Sequence, residues 1–456
     1  MKSRPASHLL WSPYWGNLVD RTRPANSKTR GVVAAKTTVS ATLHGMARLV
    51  VVAWSSAALG QLPCSYEVTN VPPFSSCFGG NPVPGTPTAI NNLGHVLLFR
   101  SQCAEPGYND TYVWTGGATA TLIPRPPGML GFTGSDLNDN GLVCGEAWYG
   151  GAVGLRGVIY STNSGEWTVL LPLNPPLGWS SVSAINNNNE ACGYRSIGSA
   201  QAANQPRTAF RWTVEDGITD LGLIDGFSTS AVDISPEGLV AVGLEGTPGG
   251  YRWGPNGLTS MGTLSGANGL GPSAIVAGGR MVGGSLFITK THFWGVAVDF
   301  NDNVLTALPT PGPDLGSCTT RDVNSSGVIL GHCQMISQFG MPPGPTTAFV
   351  WVDGLPVNLN TLLAAGANVN LRSAPALNES GVIIAQGRTS QGQNVVVVLT
   401  PRPRQAGDVN CDEIVNQLDI FAVIEDWGDS VSPADINDDG IVNVNDLLQV
   451  ITNWTG

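Results

Sequence analysis

The chain has 456 residues, enough for one large domain and a small one, and its 58 Gly and 32 Pro suit many short strands joined by turns. Only 12% of residues are charged and no basic cluster is positioned to track phosphates, which argues against nucleic acid as a partner. Eleven of the 33 acidic residues follow Ala406, in a stretch without Lys or Arg, so residues 407–456 carry a charge equal to the whole net charge of −11.

Residues 1–45 are polar and basic without periodicity, and read either as a segment upstream of the true start or as a long n-region. Met46-Ala47-Arg48 opens a secretion signal over residues 46–60: one positive charge, the apolar run Leu49 to Trp54, and the small-residue site Ala58-Leu59-Gly60. The mature chain is expected to begin near Gln61. The apolar run is too short to span a bilayer, and no second one follows, so the expectation is a secreted or cell-surface protein without a transmembrane segment in its mature form.

From there to about Thr400 one pattern recurs, Ala-x-x-Asn-x-x-Gly-x-Val-x-Gly, read loosely. It occurs around Ala89, Ser135, Ala184, Val232, Ala274, Arg321 and Ala374. Taking Gly94, Gly141, Asn189, Gly238, Gly279, Gly327 and Gly381 as equivalent, the steps are 47, 48, 49, 41, 48 and 54 residues. The fourth copy has Asp233-Ile234-Ser235 in place of Ile-Asn, and the fifth, Ile275-Val276-Ala277, has lost the Asn. Each copy reads as two antiparallel strands about a tight Asn/Gly turn, followed by an aromatic third strand such as Phe210-Arg211-Trp212 and a fourth such as Ile218 to Gly222. Four strands at this period make a blade, and seven copies predict an all-β, seven-bladed propeller over residues 61–400. Cys64 to Val68 looks like a fourth strand without its first three, and the seventh copy ends at Asn394 to Leu399 without a fourth. The two halves are expected to complete one blade and close the ring. The aromatic third strands could present a carbohydrate-stacking surface, but their shared place in every blade favours inter-blade core.

All eight cysteines follow the expected cleavage point, as suits an oxidising compartment. Cys318 and Cys333 flank the turn Asn324 to Gly327 symmetrically, so a regular hairpin brings them within bridging reach. Cys144 and Cys192 occupy the same place in neighbouring blades and form a second candidate pair. Small buried residues at strand ends are the alternative for both pairs. Spacing leaves Cys64, Cys77 and Cys103 ambiguous and gives Cys411 no evident partner.

Thr291-His292-Phe293, Thr208-Ala209-Phe210 and Thr347-Ala348-Phe349 sit in third strands, each followed within two residues by Trp. With the Ile-Asn-x-x-Gly turn, they make residues 61–400 resemble the extracellular HAF repeat family, which implies an exported propeller-like domain and little about chemistry. No Gly-x-Ser-x-Gly elbow or His-Glu-x-x-His helix occurs, and His95, His292 and His332 lie in different repeats. A site assembled from loops of several blades stays open.

After the stiff linker 401–406 come two copies of one loop, 27 residues apart, over residues 407–456. Asp408, Asn410, Asp412, Asn416 and Asp419 supply side-chain oxygens at loop positions 1, 3, 5, 9 and 12, and Ile414 a carbonyl at 7. Asp435, Asn437, Asp439, Asn443, Asp446 and the Ile441 carbonyl repeat the set. Six or seven oxygens at this spacing are what a hard cation requires, so two Ca2+ sites are expected. Apolar runs from Ile420 to Trp427 and Leu447 to Trp454 read as helices. The tail resembles a dockerin domain, the paired calcium-loop module through which secreted glycoside hydrolases and other exported proteins dock to cohesins. The resemblance implies a cohesin-like or other surface protein as partner. Glu413 stands where the first loop would have its turn Gly, which makes the second site the more secure. Gln417-Leu418 and Val444-Asn445 replace the Ser-Thr that the cellulosomal type favours, so the partner need not be a familiar cohesin. Three functions follow: an exported non-catalytic binding or scaffold propeller assembled through its calcium module, a component of an extracellular polysaccharide-degrading complex, or a structural surface-layer protein. The propeller face would take a carbohydrate or protein ligand.

Overall fold

A computed structural model describes residues 62–456 apart from 76–81, 103–107, 150–153, 172–177, 199–204, 246–248, 291, 339–343, 353, 403, 430–431 and 438. The expected signal segment and upstream stretch, together with Cys77 and Cys103, lie outside the described residues.

Seven antiparallel sheets form a seven-bladed β-propeller. Their first strands are Thr86–Ile90, Gly131–Leu137, Ser180–Ile185, Thr229–Ile234, Gly269–Ile275, Ser317–Val323 and Asn370–Leu377. Each touches the first strand of the next blade, and Asn370–Leu377 touches Thr86–Ile90, so these strands ring a central channel. Blade 3 shows the plan: Ser180–Ile185 pairs with Ala191–Ser196, then Arg207–Thr213, then Gly217–Gly222. Blade 5 gains a short addition, where Ser337–Gln338 pairs with the start of His292–Asn301. The expected closure is present: Tyr66–Asn70 lies antiparallel to Asn394–Pro401, with Tyr66 opposite Pro401 and Asn70 opposite Val397. Tyr66 is 1% exposed and packs with Leu371, Val397 and Leu399.

The physical origin of the repeat is visible in each hairpin. The turn residues at Gly94, Gly141, Asn189, Gly238, Gly279, Gly327 and Gly381 all have positive φ. The first strand carries a bulge in every blade, as between Val182 and Ala184. In four blades the bulge brings a first-strand carbonyl to where a Cβ would stand on the Gly that closes the motif, Thr133 against Gly145 and Ser181 against Gly193 for example. Only Gly fits there.

The motif Asn does two jobs. Its Oδ1 accepts N–H groups of its own turn, from Asn140 and Leu142 in the case of Asn138. Its Nδ2 donates to the equivalent carbonyl of the next blade: Asn91 to Asn138 (3.1 Å), Asn138 to Asn186 (2.9 Å), Asn186 to Ser235 (2.9 Å), Asn324 to Asn378 (3.5 Å) and Asn378 to Asn91 (3.0 Å). Ser235 keeps only the turn half of this role, accepting Leu239 N–H on Oγ, and Val276 keeps neither. Other groups link those blades. Asp233 accepts the Ile275 N–H at 2.8 Å, and the Ser273 and Thr320 hydroxyls meet at 3.0 Å.

Asp233 belongs to an alternation along the first strands, in which blades 2, 4 and 6 carry Asp136, Asp233 and Asp322 where the other four carry Ala89, Ala184, Ala274 and Ala376. Each carboxylate accepts the N–H of the following residue on Oδ1 and one from the next blade on Oδ2, the latter from Ile185, Ile275 and Leu377. Burial pushes Asp136 up to about 7, Asp233 to about 6 and Asp322 to about 8, against the N–H donors, which pull the other way.

The bridge between Cys318 and Cys333 is formed, the two residues standing opposite one another in register. The second candidate pair is corrected: Cys144 and Cys192 are both free and buried. Cys144 packs toward blade 3 with Val182 and Phe210, and Cys192 packs toward blade 4 with Ala231 and Val240. Positions related by the propeller rotation point the same way round the ring, so one thiol faces away from the other.

Tyr66→Ala removes the largest side chain of the closing strand and should lower unfolding free energy by about 3–5 kcal/mol. Denaturant unfolding of the pair of proteins measures it, and an unchanged midpoint would show that the strand does not hold the ring. Because the three aspartates have folded pKa values above the unfolded 3.8, the folded state binds their protons more tightly. Their contribution is fully present below pH 3.8 and is lost as pH rises through 6 to 8. The propeller's thermal midpoint, followed in excess calcium, should rise as pH is lowered from 8 to 5. A fall would mean that the N–H donors keep these carboxylates ionised.

Candidate functional site

Two regions carry chemistry, the acidic tail and the channel mouths. In the tail each loop leads into a helix, α1 (Gln417–Glu425) and α2 (Val444–Thr452). Both begin three residues before the expected starts at Ile420 and Leu447, because Asn416 and Asn443 are N-caps. Each makes a capping box with the Asp three residues on. The two loops share one hydrogen-bond plan. Asp419 is fully buried and accepts Val409 and Asn410 N–H on Oδ1 and Asn416 N–H on Oδ2; Asp446 does the same with Ile436, Asn437 and Asn443. Asp408 accepts from Asp412 and Glu413, and Asp435 from Asp439 and Gly440.

Amide nitrogens meet the crowded carboxylates. Asn410 Nδ2 donates to Asp412 (3.0 Å), Asn437 Nδ2 to Asp439 (2.9 Å), and Asn443 Nδ2 to the Ile441 carbonyl (2.9 Å) and to Asp439. These donors stand where positive charge is wanted, and an amide turned by half a rotation presents oxygen instead. Among the described residues no group of three or more His, Cys, Asp or Glu side chains is arranged as a metal cage. The expected ligand sets are completed by Asn side chains and the Ile414 and Ile441 carbonyls. Glu413 has φ +68° and Gly440 φ +88°, so the first loop holds a non-Gly residue in the left-handed region, as its sequence implied.

The 27-residue repeat also sorts inside from outside. Val415 and Val442, Val423 and Val450, and Ile420 and Leu447 make the small core. Ile414 and Ile441, Phe421 and Leu448, Ile424 and Ile451, and Trp427 and Trp454 stay exposed, Phe421 at 61%. The tail is fixed to the propeller by a bridge that spacing did not reveal, Cys64 to Cys411. The linker is also engaged: Arg402 N–H donates to the Ser65 carbonyl, its guanidinium pairs with Glu413, and Arg404 donates to the Asp408 and Pro433 carbonyls. Burial lowers the Arg404 pKa, opposed by Asp408 and Asp419. Burial likewise raises that of Asp408.

The channel has two mouths. The narrow one, about 220 Å3, lies at the Asn turns and is lined by Asn91, Asn138, Asn186, Asn324 and Asn378 with Asp139 and Glu379. Both acids are used between blades: Asp139 accepts from Asn92 and Asn187, and Glu379 from the Ser325 N–H. The wide mouth, about 620 Å3, is lined by hydroxyl and amide residues, by Gly, Pro, Ala374 and Val232, and by one formal charge, Arg321. His332 lies near Arg321 and is held down to about 4 by burial and by that cation, so it is neutral at pH 7. The third-strand aromatics Trp114, Tyr160 and Trp351 are buried between blades, as core. Trp148 and Trp179, outside the repeated position, are partly exposed; no periodicity marked them.

No family model matches the chain and no curated protein does, so neither the HAF repeat nor the dockerin resemblance has support from a family match. Solved structures match the fold at low identity. A structure described as YCF48 bound to D1 peptide is 12% identical with a TM-score of 0.43, covering 74% of this chain and 97% of that one. The β-propeller domain of the Trilobed protease from Pyrococcus furiosus is 8% identical at 0.45, covering 70% and 94%. Oligogalacturonate lyase from Vibrio parahaemolyticus is 11% identical at 0.48, covering 74% and 97%. These likenesses concern the fold alone.

Proposed function

We propose that this protein is an exported, non-catalytic binding propeller, assembled on a partner through a calcium-dependent, dockerin-like tail. The observation that carries the reading is the preserved partition of the tail. Under a 27-residue shift, Asp408, Asp412 and Asp419 fall on Asp435, Asp439 and Asp446, core Val415 and Val423 on core Val442 and Val450, and four exposed apolar residues on four others. A face that leaves Phe421, Ile424, Trp427, Leu448, Ile451 and Trp454 in water at this density marks a docking surface. Its occupant in this reading is a cohesin-like surface protein. The two disulfides among the described residues are compatible with an extracellular setting.

Calcium would be held by Asp408, Asn410, Asp412, Asn416 and Asp419 with the Ile414 carbonyl, and by Asp435, Asn437, Asp439, Asn443 and Asp446 with the Ile441 carbonyl. The ion supplies the positive charge that a tail without Lys or Arg lacks, relieving repulsion that otherwise opposes the compact state. Docking then depends on calcium because the loops set the angle at which α1 and α2 present their apolar residues.

Titration of calcium into the chelator-treated full chain by calorimetry should give two binding events, the tighter one in the second loop. Asp446→Ala should weaken that event by more than the ~10–100-fold that loss of an outer-shell partner costs, while the propeller's thermal midpoint stays unchanged. Absence of calcium heat in the unmodified chain would remove the proposal, and a cohesin that binds equally well in chelator would remove its calcium dependence.

A further inference from the structure

The wide mouth of the channel is unlike the rest of the propeller. Its lining comes from the first strands of six blades and from Gln386, and at the bulge position where other blades carry Thr88, Ser135, Val232 or Ser273, blade 6 carries Arg321. Hydrogen bonds occupy the channel aspartates: both oxygens of Asp136, Asp233 and Asp322 are taken by backbone N–H groups. Arg321 is exposed and makes no hydrogen bond or ion pair among the described residues. A guanidinium in a cavity of this size, left without a carboxylate although Asp322 adjoins it in sequence, is a ready forked donor.

From this we infer that the wide mouth binds the carboxylate of a small acidic saccharide, with Arg321 gripping the anion and hydroxyl and amide groups of the lining receiving the sugar hydroxyls. One cation matches one negative charge, which suits a single carboxylate better than a phosphate dianion. Thr133, Ser135 and Gln386 supply donors and acceptors, and Val232, Pro272 and Pro375 supply apolar surface in about equal measure, so the ligand must present both hydroxyls and an apolar face, as a sugar ring does. The volume of about 620 Å3 lies in the usual range for small-molecule sites and admits more than one sugar ring. His332, neutral and beside the arginine, adds no second charge, and its Nδ1 is buried without a partner. The inference rests on the reading of the propeller as a binding domain and is independent of the tail.

The test uses the full chain in calcium, with a disaccharide ending in glucuronate and the matched neutral disaccharide ending in glucose. Calorimetry should show binding of the acidic sugar, and Arg321→Gln should weaken it by about tenfold or more. Arg280→Gln, at the blade 5 turn on the narrow-mouth side and paired with Asp299, should leave it unchanged. The affinity of the unmodified chain should also fall as ionic strength is raised, a readout that does not depend on the variant folding. Equal affinity for the two sugars, no binding of the acidic one, no salt dependence, or full binding by a folded Arg321→Gln protein would each overturn the inference. Since the calcium titration reads the tail separately, any of these results leaves the docking proposal standing or falling on its own data.

Discussion

The seven blades are held to one another at the channel by a side chain that is divided between two tasks. The oxygen of the motif Asn closes its own hairpin turn, and the nitrogen donates to the next blade's turn. A shorter side chain cannot do both: Ser235 accepts the Leu239 N–H of its own turn but spends its hydroxyl proton on Glu237 and does not reach the next blade, and Val276 offers nothing. The net worth of one such bond is only about 1 kcal/mol, but a buried carbonyl left without its donor costs up to about 3 kcal/mol, and the ring closes on itself. Losing one link therefore weakens a turn and an interface together. Where the Asn is lost, Asp233 and the Ser273–Thr320 contact bridge the same gaps from two and three residues earlier in the strand.

This explains why so much of the fold was legible. A turn that must present oxygen inward, nitrogen outward and positive φ four residues from the strand leaves a strong trace in the sequence, in full in five blades and as the positive-φ position in all seven. The closing strand was legible for a related reason, since two half-blades at opposite ends of one domain have one way to satisfy their edges. The pairing of Cys318 with Cys333 came from symmetry about a hairpin. The same kind of reasoning failed for Cys144 and Cys192, because equivalence by rotation is not opposition.

What the sequence concealed lies at positions where the pattern sets no requirement. Arg321 occupies the bulge, the one residue of the first strand without a ladder partner, so neither alternation nor turn chemistry constrains it. The alternation of Asp and Ala runs over every second blade and breaks where blade 7 meets blade 1, both with Ala, so the one-blade repeat by which the blades are recognised does not report it. The helices of the tail begin three residues before their apolar runs, because the Asn that caps each helix also belongs to the loop. The partner of Cys411 was hidden by distance, 347 residues along the chain.

That last bridge ties together the two places where the molecule is easiest to open. By loop-closure entropy alone, cross-linking residues so far apart would stabilise by about 6 kcal/mol. Most of that is not available, because the pairing of Tyr66 with Pro401 already closes nearly the same loop. With the closing strand in place, the bridge adds only the short segment between Pro401 and Cys411. Its larger effect appears when the strand starts to separate. The freed end then remains attached to the tail and to Arg402, whose N–H donates to the Ser65 carbonyl, so separation gains little chain entropy and rejoining is fast. Burial of the tail's own core feeds back through the same bond, since an ordered first loop holds Cys411 in place and with it the strand that closes the ring.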